Sequence, residues 1–135
     1  MLRRGALLHD VGMLAMPGQR TPRHIEVGAR LVARWRDYRP IADIVEQHCE
    51  LMDGSGYPRG LKADQISLPA RIVCVATRYV ELTAPRPHGC AMTHQEAVDE
   101  IESMTPEKYD PSVVEALEAV TTPASAEVLP MIRRR

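Results

Sequence analysis

Apolar residues recur three and four positions apart through several segments of this chain, and nothing alternates convincingly with period two, so the backbone is restricted to helices. The fold class is therefore all-α. A length of 135 residues is enough for one sizeable core and too little for two of ordinary size. One compact domain is expected over 1–121. The segment 122–135, with two prolines and a terminal Arg133-Arg134-Arg135, reads as a flexible tail because clustered arginines are more often solvated than bound.

The periodicity places the helices. Arg3 to Val11 forms the end of a helix that carries His9 and Asp10, stops near Gly12 and leads into a Pro17-Gly18 turn. A second helix starts at Thr21-Pro22, with the threonine as N-cap, and its apolar face is Ile25, Gly28, Leu31, Val32 and Trp35. His24 lies one turn before Gly28 on the same face. A third, from Pro40, aligns Ile41, Ile44, Val45 and His48 on one stripe. Leu68 to Thr83 is a strongly apolar helix with Ile72, Val75, Ala76 and Tyr79 toward the core. Thr93 to Glu96 has capping-box spacing for a helix ending near Met104, and Asp110-Pro111 caps another that runs to about Val120.

Composition removes several function classes. A formal charge of -1 provides no basic field for tracking a nucleic-acid backbone, and the apolar runs are far shorter than a membrane span. No nucleic acid and no membrane partner is expected. Cys49, Cys74 and Cys90 form an odd set without a CxxC spacing, which fits neither a disulfide framework nor a zinc ribbon and suits a reducing cytoplasm.

Chemistry concentrates at His9-Asp10, His24 and His48. Imidazole nitrogens beside a hard carboxylate suit a hydrolytic transition-metal site. A single inward histidine is more often a hydrogen-bonded core residue than a ligand. Three of them on successive helices, with Asp10 beside the first, make convergence on one ion plausible. Directly after His48-Cys49-Glu50 comes the turn Asp53-Gly54-Ser55-Gly56-Tyr57-Pro58. Gly54 and Gly56 admit positive φ or a close backbone approach, Pro58 fixes the exit, and Tyr57 offers an aromatic face. Asp53 is expected to cap this turn through its carboxylate.

With its Arg59-Gly60-Leu61 extension, that block together with His9-Asp10 resembles the HD-GYP domains, bacterial hydrolases of cyclic di-GMP. The likeness runs from about Ala6 to Ala119 and includes Pro69-Ala70-Arg71-Ile72 and Tyr109-Asp110-Pro111. It implies an HD-domain-like helical bundle and a cluster of iron- or manganese-type ions that activates water against a phosphodiester. His9, Asp10, His24 and His48 match family ligands, with Asp10 as the bridging and catalytic carboxylate. Arg86 matches a phosphate-contacting arginine. The resemblance further implies cyclic di-GMP or a related dinucleotide as ligand, and a protein partner such as a diguanylate-cyclase domain at the loop of Gly54, Gly56, Tyr57 and Pro58.

The departures from the family pattern are equally specific. Met13 stands where the family has a phosphate-neutralising lysine, Cys49 where it has a second histidine, Thr77 where it has a ligand aspartate, and Gly89 near the position of a second lysine. Fifteen positions separate His9 from His24, distinctly fewer than in typical members, and the eight residues before His9 leave no room for the family's upstream ligand helix. An HDOD-like regulatory domain is the competing resemblance for His24 to Ala29, against which the GYP loop argues. The expectation is a catalytically degenerate signalling module, with a reduced but active phosphodiester hydrolase as the alternative.

Overall fold

The computed structural model describes residues 1–16, 21–85 and 90–121. Six α-helices occur in the order α1 (Leu2–Leu8), α2 (Pro22–Ala33), α3 (Ala42–Gln47), α4 (Leu68–Thr83), α5 (His94–Ser103) and α6 (Pro111–Thr121). Short 3-10 segments at Val11–Ala15, Arg39–Ile41 and Ala63–Gln65 link them. No strand occurs among the described residues, and the class is all-α. None of the described helices is long and apolar enough to cross a membrane. Pro17, Gly18, Arg86, Gly89 and the expected tail 122–135 lie outside the described residues.

The chain divides into two compact units, Met1–Cys74 and Val75–Arg135, with the boundary inside α4. In the first, Val32, Ile41, Ile44, Val45 and Val73 form a buried cluster, and Leu8, Val11, Ala29, Tyr38 and Ala42 pack against it. Burying such side chains contributes about 1.5–3 kcal/mol each, and here it binds α2 and α3 to the chain around His9. In the second unit α5 buries Ala97, Val98 and Ile101, and α6 buries Val113 and Val114. Asp110 accepts from the Ser112 backbone N–H at 2.9 Å and caps α6 beside Pro111.

Three expected core positions are corrected. Trp35 is 68% exposed, because α2 ends at Ala33, where Arg34 and Trp35 bond back only three residues, to Leu31 and Val32. That tighter turn rotates Trp35 off the buried stripe, and it meets Tyr38 edge-on at 6.0 Å. Leu31 is exposed as well. On α4, Val75 is buried as expected, but Ala76 is exposed and Ile72 and Tyr79 are half-buried, while Ala70, Val73 and Leu82 are the other buried apolar residues.

A capping box starts α5: Glu96 N–H donates to the Thr93 hydroxyl, and the Glu96 carboxylate accepts from Thr93 N–H at 2.8 Å. The Thr93 backbone and then its hydroxyl hold the Glu96 carboxyl below its ordinary value of 4.5. The stabilisation is therefore present above that value and is lost as pH falls through the lower folded one. Thr93→Ala should cost about 1 kcal/mol in chemical denaturation at neutral pH. The gap between variant and parent should narrow but persist in strong acid, because only the hydroxyl's bond to the Glu96 carboxylate titrates and the bond it accepts from Glu96 N–H does not.

Candidate metal centre

Each of the three histidines is oriented by its own helix. His9 caps the C-terminus of α1, His24 lies in the first turn of α2, and His48 caps the C-terminus of α3. In all three, ring Nδ1 faces the carbonyl three residues earlier: Ala6 at 2.8 Å, Thr21, and Val45 at 2.8 Å. A carbonyl only accepts, so Nδ1 carries a hydrogen, and a ring that loses its second proton keeps its lone pair on Nε2. Thr21 thus serves α2 differently from expectation. Its side chain makes no cap bond, and its carbonyl receives both the backbone N–H and the ring of His24.

The three Nε2 atoms face one carboxylate. His9 stands 3.5 Å from Asp10 Oδ2, while His24 and His48 stand 3.4 and 3.6 Å from Oδ1. These separations exceed ordinary N–H···O bonds. They match the spacing of about 3.4 Å expected for two donors that share one tetrahedral ion at about 2.1 Å each. His9, Asp10 and His48 offer ligand atoms all within 4.8 Å of one another. His24 stands outside that triplet but meets the same carboxylate, which gives Asp10 a bridging disposition. Cys49 is not part of the triplet. The donor set, neutral imidazoles anchored by backbone acceptors around one carboxylate, fits a divalent cation.

Electrostatics favour a positive charge here. Burial pulls the His48 imidazole down, but the Asp10 carboxylate, the neighbouring Cys49 thiol and the Val45 carbonyl outweigh it and raise the group from 6.5 to about 9. His24 and His48 are almost fully buried, whereas Asp10 keeps a third of its side chain exposed, so the centre is open on the Asp10 side.

Close backbone approach sets these distances. A Cβ on Gly12 would fall 1.8 Å from the His24 carbonyl oxygen and 2.7 Å from the Gly28 nitrogen. Only glycine lets the segment after Asp10 lie directly on α2. Gly12 was expected as a helix stop, and its contact with α2 was not legible from that.

The glycine-rich loop reaches the centre through the chain after His48. Tyr57 N–H donates to the Cys49 carbonyl at 3.1 Å, and a Cβ on Gly56 would lie 2.5 Å from both Cys49 O and Glu50 Cα. Gly54 takes φ 84°, and Asp53 Oδ1 accepts from Ser55 N–H at 2.8 Å, the expected cap. Pro58 is half-buried and Tyr57 is 42% exposed. Glu50, whose role no local pattern signals, is 2% exposed; its carboxylate accepts from Arg59 N–H at 2.6 Å and Leu61 N–H at 2.8 Å. Met13 is half-buried beside the Asp10 carbonyl, which accepts its N–H. Thr77 is a half-buried residue of α4. Arg86 lies outside the described residues.

Residues 18–113 match the HD domain family. The chain is 38% identical over 129 residues to a cyclic di-GMP phosphodiesterase of Thermotoga maritima, covering 82% of this chain and 34% of that protein. It is 32% identical to 3'3'-cGAMP-specific phosphodiesterase 3 of Vibrio cholerae, covering 86% of this chain and 28% of the relative. With a cyclic di-GMP phosphodiesterase response regulator of Xanthomonas campestris pv. campestris the identity is 34%, over 87% of this chain and 35% of the relative. The chain spans about a third of the length of these curated relatives.

Gly12→Ala should destabilise the protein by about 3 kcal/mol, the upper end of overpacking costs. Thermal unfolding checks this, and a neutral effect would mean that Val11–Ala15 does not rest on α2.

Proposed function

This chain belongs to the HD-domain family, in its HD-GYP branch, and on that premise we propose that it is a cyclic-dinucleotide signalling domain with a reduced divalent-metal centre. Its main work is as an interaction module. The observation that carries this is the contrast between donor atoms and phosphate-binding cations. The donors of His9, Asp10, His24 and His48 converge. The positions that would add charge for substrate or a further ion hold Met13, Cys49 and Thr77.

His9, Asp10 and His48 would hold an ion of the iron or manganese type, by family resemblance, and it would supply Lewis acidity toward water and a phosphodiester oxygen. The chain's own groups orient and shield. The Nδ1 anchors fix the donors, burial of His24 and His48 excludes water behind them, and the open side of Asp10 is the direction of approach for a ligand. Met13 packs and spreads no phosphate charge, and by family resemblance Arg86, whose guanidinium suits a phosphate fork, is the phosphate-contacting residue. Cyclic di-GMP or a related dinucleotide is the ligand class, supported by the names of the relatives. The exposed ring of Tyr57, held out by Gly54, Gly56 and Pro58, is the contact for a protein partner such as a diguanylate-cyclase domain, in the cytoplasm. The convergence of the donors favours one second function, an active phosphodiester hydrolase with the same reduced metal site and Asp10 as its catalytic carboxylate.

Metal analysis of protein purified without chelator, with a cyclic di-GMP hydrolysis assay on the same sample, separates the two. Bound metal with turnover far below about 1 s−1, at the bottom of the ordinary enzymatic range, is expected. Thr77→Asp combined with Cys49→His should raise that turnover. Turnover of about 1 s−1 or faster, abolished by His9→Ala, would assign the hydrolase instead. Absence of both metal and turnover would remove the metal centre.

A further inference from the structure

His48 is held by a helix that cannot orient it unaided. α3 has six residues, from Ala42 to Gln47. Isolated helices shorter than about 12–15 residues are marginal in water, so the direction of its final turn is set by the residues C-terminal to it. There the chain is clamped. Gln47 Oε1 accepts from Ser67 N–H at 2.9 Å, Cys49 O accepts from Tyr57 N–H, and Glu50 N–H closes a turn onto Gln47 O at 2.9 Å.

Glu50 is the one clamp that combines full burial with charge. Each of its carboxylate oxygens accepts a backbone N–H, from positions 9 and 11 residues later, and the Cys74 thiol donates to its carbonyl at 3.6 Å. Its oxygens are turned to these backbone N–H groups, and it stands outside the His9–Asp10–His48 triplet. Burying a carboxylate for loop closure alone is costly, and only Cys49 separates it from His48.

We propose that Glu50 is a positioning residue for the metal centre: by tying the loop through Arg59 and Leu61 to the backbone directly after α3, it fixes the imidazole of His48 against Asp10. The proposal rests on that centre binding a divalent ion. A mere loop clip would lower stability when lost and leave the ring of His48 where it is. A positioning residue alters the ring itself.

Glu50→Gln keeps the shape but turns one acceptor into a donor facing a backbone N–H, and Glu50→Asp keeps the charge with a shorter reach. Manganese(II) affinity, by calorimetry, should fall about 10–100-fold in Glu50→Gln, the range for lost supporting partners. Asp53→Ala, which removes the cap at the loop tip, should leave that affinity unchanged. In metal-free samples of the same proteins, the ring NMR signals of His48 should be parent-like in Asp53→Ala and displaced in Glu50→Gln. Should Glu50→Gln fail to give a folded circular-dichroism spectrum, Glu50→Asp carries both measurements. Parent-like affinity together with a parent-like His48 signal in a folded Glu50 variant overturns the proposal. If the parent itself binds no manganese, the metal reading fails by that result, and the His48 ring signal alone decides the role of Glu50.

Discussion

Everything at the centre of this molecule depends on a hydrogen bond used three times. Each histidine gives Nδ1–H to the carbonyl three residues before it, which locks the ring and leaves Nε2 as an acceptor directed at Asp10. Without that bond an imidazole at a helix end samples several rotamers, and three would have to be ordered at the moment an ion binds. With it, the conformational entropy is lost during folding. A carboxylate faced by three imidazole nitrogens is well placed to share a cation with them. The metal-free chain takes a proton for that purpose, as the raised His48 indicates.

Locked rings are useful only if the segments that carry them are in register. Two backbone contacts provide this. Gly12 lets the chain after Asp10 lie on α2, and Gly56 lets the glycine-rich loop lie on Cys49 and Glu50. The apolar cluster of Val32, Ile41, Ile44, Val45 and Val73 supplies the cohesion, while the glycines and the buried Glu50 determine the distances. In the family's signature turn, Gly56 thus has a mainly internal task, and Tyr57 faces outward.

Helix positions were largely legible, because a stripe three and four residues apart is a local pattern and its bounding caps are local too. The inward placement of His24 and His48 came from the same stripes. Trp35 was misplaced because periodicity continues beyond Ala33 whereas the backbone does not; the tighter turns at Arg34 and Trp35 end α2 first. Ala76 was misplaced because α4 is apolar on adjacent faces, so the pattern does not choose between them. Glu50 was passed over because a glutamate reads as a surface residue, and its two donors lie 9 and 11 residues away. The contact of Gly12 with α2 was invisible for the same reason: it joins segments that no local spacing relates.

His9, Asp10 and His48 are disposed in advance around a cation position, and anomalous diffraction from crystals grown with manganese(II) tests this most directly. One strong peak is expected, coordinated by Nε2 of His9, Nε2 of His48 and the Asp10 carboxylate, with each Nδ1 still on its helix carbonyl. A peak bound through Nδ1, or manganese found only elsewhere on the protein, would contradict it.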